Sequence, residues 1–226
     1  MKNPFRDFAE TAGGTTEDPI GVLARSRQDL IDKLTDGYRD LIREELPNLI
    51  WPVEHRRVIG VYRKALDQMK ANRFTNAEVQ AFCLEFMGSL GAGFPVPGPV
   101  GLYISALINS CIDTTLTLRT QDFPVPFHFL GYALPEGKSL VLLGDAGDFT
   151  GAALQGGILA VHGCTGHFCG AGMSSGLIRV IKQAGRGTGV WMQGGEIRLE
   201  GSVAEVAEER YGGAVYLKGA LAEKSS

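Results

Sequence analysis

A glycine repeat of 19 residues in the C-terminal half constrains the fold more than any other feature of this chain. Three sets of glycines recur at this spacing, and Leu154, Met173 and Met192 keep the same step. Agreement at several positions of one fixed period indicates a repeat architecture, in which each unit stacks on its neighbours. The repeat glycines are Gly147, Gly166 and Gly185, then Gly151, Gly170 and Gly189, and finally Gly157, Gly176 and Gly195.

Each repeat contains a short segment in which apolar residues alternate with other residues. These segments are 139–143, 158–162, 177–181, 196–200 and, one residue early, 214–218. A period of two indicates strands with one buried face. A coil of this length fits a parallel β-helix, whose coils lie about 4.8 Å apart. We therefore predict about five coils wound in the right-handed sense; a repeat of alternating helices and strands is the competing interpretation, but no helical periodicity separates the segments.

Glycine is unevenly distributed and divides the chain into two parts. Residues 1–130 contain 10 of the 31 glycines, whereas residues 131–219 contain 21. Glycine weakens the interiors of helices and strands, so a region this rich in glycine must use it in turns or close backbone contacts. The predicted fold class is α+β in two parts. A helical domain for capping or assembly spans residues 1–122, and the parallel β-helix spans residues 123–226.

The N-terminal part shows helical periodicity. The first predicted helix begins at Pro19 and ends at Pro47, and a second begins near Trp51. Thr75 and Glu78 match a capping box at the start of a third helix. One side of the second helix is basic and forms either a solvated face or a docking surface for an acidic partner or ligand. Its basic residues are Arg56, Arg57, Arg63, Lys64 and Lys70.

A fourth predicted helix, over residues 100–112, is apolar on nearly every side. Such a helix must be surrounded by its own domain or by another subunit, and we expect the second arrangement to contribute. Its interface candidates are Leu102, Tyr103 and Leu107. The first strand segments add outward-facing apolar residues that a partner or the helices would cover. These further interface candidates are Val141, Leu143, Ile158, Leu177 and Ile181.

Charge and hydropathy narrow the classes of partner and location. The formal net charge is -3, whereas a surface that binds nucleic acid needs a basic footprint. The first residues lack the apolar segment of a secretory signal, and the apolar stretch at 100–112 is too short to cross a bilayer. The four cysteines do not form the dense framework of a small secreted protein. We expect a cytoplasmic protein that binds neither nucleic acid nor membranes.

Few residue patterns point to chemistry. His162, Cys164, His167 and Cys169 have side chains that bind zinc or another transition metal. Their register in the repeat places them at a strand end and at successive corners, which argues against a metal site. The segment 185–189, GRGTG, is similar to a phosphate-binding loop but leads into a strand and not into a helix. We predict no catalytic residue and no cofactor.

The segment GDAGDFTGAALQGGILAVHG at 144–163, with its counterparts at 166–180 and 185–201, resembles the GXGXG β-helix family. That family includes the β-helical subunit of formylmethanofuran dehydrogenase, its counterpart in the related bacterial formyltransferase/hydrolase complex, and the C-terminal domain of the glutamate synthase large subunit. The resemblance covers residues 131–219. The chain departs from the family pattern at Ser175 and Lys182, which interrupt glycine positions, and in its smaller number of coils.

The resemblance implies a scaffold that positions catalytic domains and has no catalytic residue of its own. On this interpretation the chain is a structural subunit of a multi-subunit soluble enzyme, and the oxidoreductase, formyl-transfer or amido-transfer activity lies on other protein subunits. Two alternatives stay open. In one, the chain self-assembles into a homo-oligomer without an enzyme partner. In the other, it binds a small anion or cofactor through the basic helix and the glycine corners, and such a ligand would stabilise the fold.

Overall fold

The computed structural model describes residues 19–45, 54–70, 72–89 and 97–222. The predicted helix end at Pro47 and helix start near Trp51 lie outside these ranges. Four helices come first: α1 (Pro19–Glu45), α2 (His55–Met69), α3 (Asn76–Ser89) and α4 (Pro97–Ser110). The main strands are β1 (Thr115–Leu118), β2 (Ser139–Leu142), β3 (Gln155–Val161) and β4 (Ser175–Val180). The shorter or later strands are β5 (Gln183–Ala184), β6 (Glu196–Leu199), β7 (Ser202–Val203), β8 (Ala214–Leu217) and β9 (Ala220–Leu221).

The strands form the predicted parallel solenoid. β1, β2, β3, β4, β6 and β8 pair side by side in parallel, and β9 closes the sheet antiparallel to β8. Equivalent residues of successive coils are direct partners, because Leu140 pairs with Leu159 and Leu159 with Ile178. One apolar column therefore runs through the interior, with every side chain fully buried. Its members are Leu116, Leu140, Leu159, Ile178, Ile197 and Val215. The handedness of the coil stays a prediction.

The solenoid begins earlier than predicted. β1 pairs in parallel with β2, so Thr115–Leu118 belongs to the sheet and not to the helical part. The sheet therefore extends several residues to the N-terminal side of the predicted boundary between residues 122 and 123. β1 pairs with residues 24 positions further along the chain, from Thr115 to Ser139. The sequence does not reveal this strand, because the step differs from the later period and because β1 has none of the repeat glycines.

Helices α1, α2 and α3 pack around α4. The hydroxyl of Tyr103 on α4 donates a hydrogen bond to the carbonyl of Leu34 on α1, at 2.8 Å. The Asn109 amide, also on α4, donates to the Tyr62 hydroxyl on α2, at 2.6 Å. On α3 the capping box is present, since Glu78 Oε2 accepts from the backbone N–H of Thr75 at 2.6 Å. These contacts make α4 the central helix of its own domain.

The expected exposure of α4 to a partner subunit is wrong. Leu102, Tyr103 and Leu107 have no exposed surface in the isolated chain. The apolar character on every side of α4 is explained by its neighbours, because three helices and the first coil of the solenoid surround it. These three residues are therefore core residues and do not form a docking surface. The structure also contains, in the ranges that it describes, no helix long and apolar enough to span a membrane.

Helix α4 lies against the first coil and caps the N-terminal end of the solenoid. The Ser105 hydroxyl donates to the carbonyl of Phe129 at 2.8 Å, and the Asn109 amide donates to the carbonyl of Tyr132 at 3.0 Å. Gly101 approaches most closely, because a Cβ at this position would lie 1.7 Å from the carbonyl oxygen of His128. One continuous apolar core joins the helices to the solenoid. The helices thus cover the solenoid end that unpaired coils would otherwise expose.

A tight hairpin closes the opposite end. Lys218 and Gly219 both have positive φ, 51° and 83°, between the paired residues Leu217 and Ala220. Two central residues with positive φ form the hairpin turn that matches the twist of the flanking strands. The chain then returns along β8, and the Ala222 N–H donates to the carbonyl of Val215 at 2.8 Å. β9 therefore pairs the last coil and helps to bury its interior.

Candidate functional site

Five outward-facing apolar side chains on the first coils form a surface that we call the outer patch. They occupy outward positions on and just after β2, β3 and β4, whose inward positions line the core. Ile158 is 49% exposed, and the other four are partly exposed. Surface positions of a solvated sheet normally carry polar residues, so this patch is unusual for a face that is open to water. Its members are Val141, Leu143, Ile158, Leu177 and Ile181.

Two arginines beside the outer patch are paired with carboxylates of the chain itself. Arg179 Nε lies 2.9 Å from Glu200 Oε1, and Arg198 Nη2 lies 2.7 Å from Glu196 Oε2. All four side chains are well exposed, so these pairs contribute little to stability. They leave neither arginine with a free charge for an acidic ligand.

The repeat glycines serve two distinct physical purposes. A Cβ on Gly166 would lie 2.7 Å from the backbone nitrogen of Asp148, and one on Gly185 would lie 2.5 Å from the carbonyl oxygen of Gly166. These glycines allow adjacent coils to approach closely. Gly170, by contrast, has a φ of 70° and occupies a left-handed corner conformation, as do Gly151 and Gly189. Both uses support the coil geometry and neither points to a ligand.

An aromatic ladder runs along one corner of the solenoid. The rings of Phe129 and Phe149 stack with centroids 4.9 Å apart, and Phe149 and Phe168 stack at the same separation. All three residues have positive φ, between 57° and 62°. Left-handed backbone is unfavourable for bulky residues, and the stacking of the rings compensates part of that energy. The step between Phe129 and Phe149 differs from the 19-residue period, so the repeat alone does not predict the ladder.

The structure does not bring the four candidate metal ligands together. Cys169 is fully buried in the interior, whereas His162 and His167 are exposed. The His167 Nδ1 atom instead accepts a hydrogen bond from the backbone N–H of Arg186 at 3.0 Å, and the Cys164 N–H donates to Asp145 Oδ1 at 2.8 Å. No group of three or more potential ligands converges within the described residues.

The buried thiols are poorly suited to nucleophilic chemistry. Burial raises the pKa of Cys83 and that of Cys169 to about 12. Because the thiolate is the reactive form of cysteine, neither residue is an activated nucleophile near neutral pH. Cys83 lies in the apolar core of the helices, as does Cys111. Both residues therefore act as packing residues of that core.

Most of the basic side of α2 is engaged in ion pairs with the chain itself. Lys64 Nζ lies 3.0 Å from Glu44 Oε2 and 2.8 Å from Glu45 Oε1. Lys70 Nζ lies 2.6 Å from Asp67 Oδ1 on the same helix. These cations are exposed, and each already has a carboxylate neighbour. The arrangement favours a solvated face over a docking surface for an acidic ligand.

Polar side chains link successive coils at the corner near His128. His128 Nδ1 accepts a hydrogen bond from the backbone N–H of Asp148 at 2.7 Å, and Asp148 Oδ1 accepts from the N–H of His167 at 2.7 Å. Burial lowers the pKa of His128, and the nearby Asp148 carboxylate opposes this shift. Because Nδ1 must be unprotonated to accept the bond, the folded chain favours the neutral imidazole.

We therefore expect the chain to lose stability as pH falls below about 6.5, the usual pKa of an unfolded histidine. Over this window the imidazole of residue 128 binds a proton in the unfolded state but stays neutral in the folded state. The free energy of unfolding therefore falls with decreasing pH, by at most about 1.4 kcal/mol per pH unit. Denaturant unfolding at several pH values measures this slope. The asparagine side chain of a His128→Asn variant would accept the same hydrogen bond without titrating, so the slope of that variant should be smaller. An unchanged slope would contradict the assignment.

Comparison with protein-family models, with curated proteins and with solved structures finds no match to this chain. The resemblance of the repeat to the GXGXG β-helix family therefore stays a prediction. The parallel solenoid itself is shown by the strand register and does not depend on a relative. Function has to be argued from the surfaces of the molecule, because a fold alone does not define an activity.

Proposed function

We propose that this chain is a non-catalytic structural subunit of a larger protein assembly and that it docks through the outer patch. The single observation that carries the proposal is the partly exposed apolar surface on the outward side of β2, β3 and β4, where Ile158 is 49% exposed. Apolar side chains grouped on one face are typical of sites that contact another protein. Helix α4 and the β8–β9 hairpin cover the two ends of the solenoid, so its lateral faces are the surfaces left for a partner.

The energetics favour a protein partner over a water-exposed face. Complete removal of a Leu, Ile or Val side chain from water contributes about 1.5–3 kcal/mol. The outer patch contains five such side chains, each still partly hydrated. Arg179 and Arg198 at its rim keep their carboxylate partners when another surface covers the patch, which avoids the penalty of burying these two charges unpaired. A rigid solenoid also presents the patch in one conformation, which lowers the entropy lost on binding.

The class of the partner is a proposal that rests on the resemblance of the repeat. On this proposal the partner subunits carry an oxidoreductase, formyl-transfer or amido-transfer site, and this chain holds them in position. The structure contributes an argument from its own surfaces. The buried thiols have raised pKa values, and the candidate metal ligands do not converge in the part of the chain that the structure describes. The chain therefore offers mechanical support more readily than chemistry.

Affinity purification of the tagged full chain from its native organism, followed by native mass spectrometry, tests the structural role. We expect a complex that contains at least one different chain, and Ile158→Glu should weaken that association at least about tenfold. Leu84→Glu is the matched control, because Leu84 is 59% exposed on α3, outside the outer patch. A chain that is monomeric and pure in its native setting would contradict the proposal. If both variants lost their partners equally, the outer patch would not be the docking surface.

Self-association is the second candidate, and the pairing of Arg179 and Arg198 with carboxylates of the chain favours it specifically, because two copies of the patch would not oppose these arginines as free like charges. Two copies related by a two-fold axis would place the same patch on both sides of the interface. In that case the recombinant chain alone forms a closed oligomer whose mass is a multiple of 24.2 kDa. Ile158→Glu would convert it to a monomer, whereas Leu84→Glu would not. The two candidates thus differ in the composition of the complex and share the same docking surface.

A further inference from the structure

A groove of about 590 Å³ lies at the corner of the solenoid next to the outer patch. Residues 123–126, with sequence FPVP, form one wall, and the turns after β2, β3 and β4 form the other. Both walls are anchored: the N–H of Gln121 donates to the carbonyl of Leu143 at 3.0 Å, and the N–H of Gly147 donates to the carbonyl of Phe127 at 2.9 Å. The groove is therefore preformed, as binding sites for small molecules usually are.

One residue at the groove breaks the glycine pattern of the repeat. Lys182 occupies a position that Gly144, Gly163 and Gly201 hold in the other coils. A repeat preserves what stacking requires, so a substitution that stacking does not explain is a candidate for another purpose. His162 lines the same groove, at a position that is aliphatic in the adjacent coils and charged in the later ones, so stacking does not fix its identity.

The polar groups of these two residues have no partner within the described part of the chain. The side chains of His162 and Lys182 are exposed, and neither forms a hydrogen bond or ion pair with a described residue. The two residues lie on adjacent coils, since the backbone N–H of Lys182 donates a hydrogen bond to the carbonyl of Gly163, the residue after His162, at 3.2 Å. An ammonium group and an imidazole on adjacent coils match the two oxygens of a carboxylate.

The remaining lining restricts the ligand further. Phe123, Val125 and the two prolines supply an apolar wall, and Val125 is 38% exposed. The Asp145 carboxylate lines the same groove and binds the Cys164 N–H with one oxygen. A second negative charge on the ligand would meet this carboxylate, so dianions are disfavoured. The Thr120 hydroxyl, also in the lining, is buried and has no hydrogen-bond partner among the described residues.

We infer that this groove binds a small monocarboxylate with an apolar body. The carboxylate lies between His162 and Lys182, and the apolar body contacts the wall formed by residues 123–126. Asp145 selects a singly charged ligand over phosphate or a dicarboxylate. The inference goes beyond the structural role proposed above and does not require it, since the site is built from one chain.

The sequence repeat supplies variants that preserve the fold. Lys182→Gly restores the glycine of the neighbouring coils, and His162→Leu restores the aliphatic residue that follows β2 at the equivalent position. Lys218→Gly is the matched control, because it removes the same charge outside the groove, at a residue whose φ of 51° glycine adopts readily. Any loss of binding that is specific to the first two variants therefore reports on the groove.

The test is a titration of the ¹⁵N-labelled full chain followed by NMR, with hexanoate, 1-hexanol and inorganic phosphate as probes. We expect hexanoate to shift the amide signals of Val125, Asp145 and Lys182 saturably, with a Kd of about 1 mM or tighter. Lys182→Gly and His162→Leu should each weaken binding at least about tenfold, whereas Lys218→Gly should not. Absence of saturable shifts at these residues would overturn the inference. Equal binding of 1-hexanol or phosphate, or unchanged binding in both groove variants, would also overturn it.

Discussion

Replacement of Gly101 by alanine is expected to separate helix α4 from the solenoid and to destabilise the chain by about 3 kcal/mol or more. The added Cβ would lie 1.7 Å from the carbonyl oxygen of His128 and 2.9 Å from its carbon. Both atoms belong to the backbone, so no side-chain rotation relieves the overlap. The helix has to move outward, and this movement breaks the hydrogen bond from Ser105 to the carbonyl of Phe129.

Gly60→Ala is the matched control for this experiment. Gly60 also lies within a helix, α2, but a Cβ there would meet no atom within 4 Å. Alanine has the higher helix propensity, so this variant should be stabilised by about 0.5–1 kcal/mol. The free energy of unfolding from denaturant titration measures both effects. If Gly101→Ala were as stable as the parent chain, the helices would not be docked on the first coil.

The interior of the solenoid could be predicted from the sequence because its determinants are local and periodic. Leu140, Leu159 and Ile178 alternate with outward residues and recur at one spacing, which defines both the strand and its register. The structure pairs these residues directly and buries each of them completely. The same reasoning could not find β1, because Leu116 is followed by a longer connection that the period does not describe.

The surroundings of α4 could not be predicted because they depend on contacts that are distant along the chain. An all-apolar helix indicates burial but does not say which elements provide it. Tyr103 donates a hydrogen bond to the carbonyl of Leu34 on α1, and Ser105 donates one to the carbonyl of Phe129. The partners are 69 and 24 residues apart in the sequence. Neither contact has a local signal, so the sequence suggested a partner subunit where the chain itself supplies the cover.

The candidate sites also divide into one that local sequence patterns predict and one that depends on contacts distant along the chain. The outer patch was visible in the sequence, because strand alternation separates inward from outward residues and Ile158 stands on the outward side. The groove was not, although Lys182 was recognisable as an exception to a glycine position. Its second wall is the segment around Val125, which lies outside the repeat and approaches Lys182 only in the folded chain. An exception to a repeat becomes informative when the structure shows what stands opposite it.

The close approach of adjacent coils makes Gly185 a repeat glycine at which substitution should be harmful for a steric reason alone, because its φ is not in the left-handed region. A Cβ on Gly185 would lie 2.5 Å from the carbonyl oxygen of Gly166, 2.6 Å from its carbon and 2.8 Å from the nitrogen of His167. All three atoms belong to the backbone of the preceding coil. We expect Gly185→Ala to destabilise the chain by about 3 kcal/mol, because the two coils must move apart and weaken the hydrogen bonds between them.

Gly172→Ala is the matched control. It distinguishes the steric overlap at position 185 from a general destabilisation by alanine at solenoid corners. Gly172 has a φ of 63°, and a Cβ there would meet no atom within 4 Å. The equivalent residues of the two preceding coils are already alanines with positive φ, Ala133 at 51° and Ala153 at 53°. The strain of a left-handed alanine, about 1 kcal/mol, is offset in part by the lower entropy of the unfolded chain, so this variant should lie within about 1 kcal/mol of the parent. Equal destabilisation of the two variants in denaturant unfolding would show that backbone contact between coils is not what requires glycine at position 185.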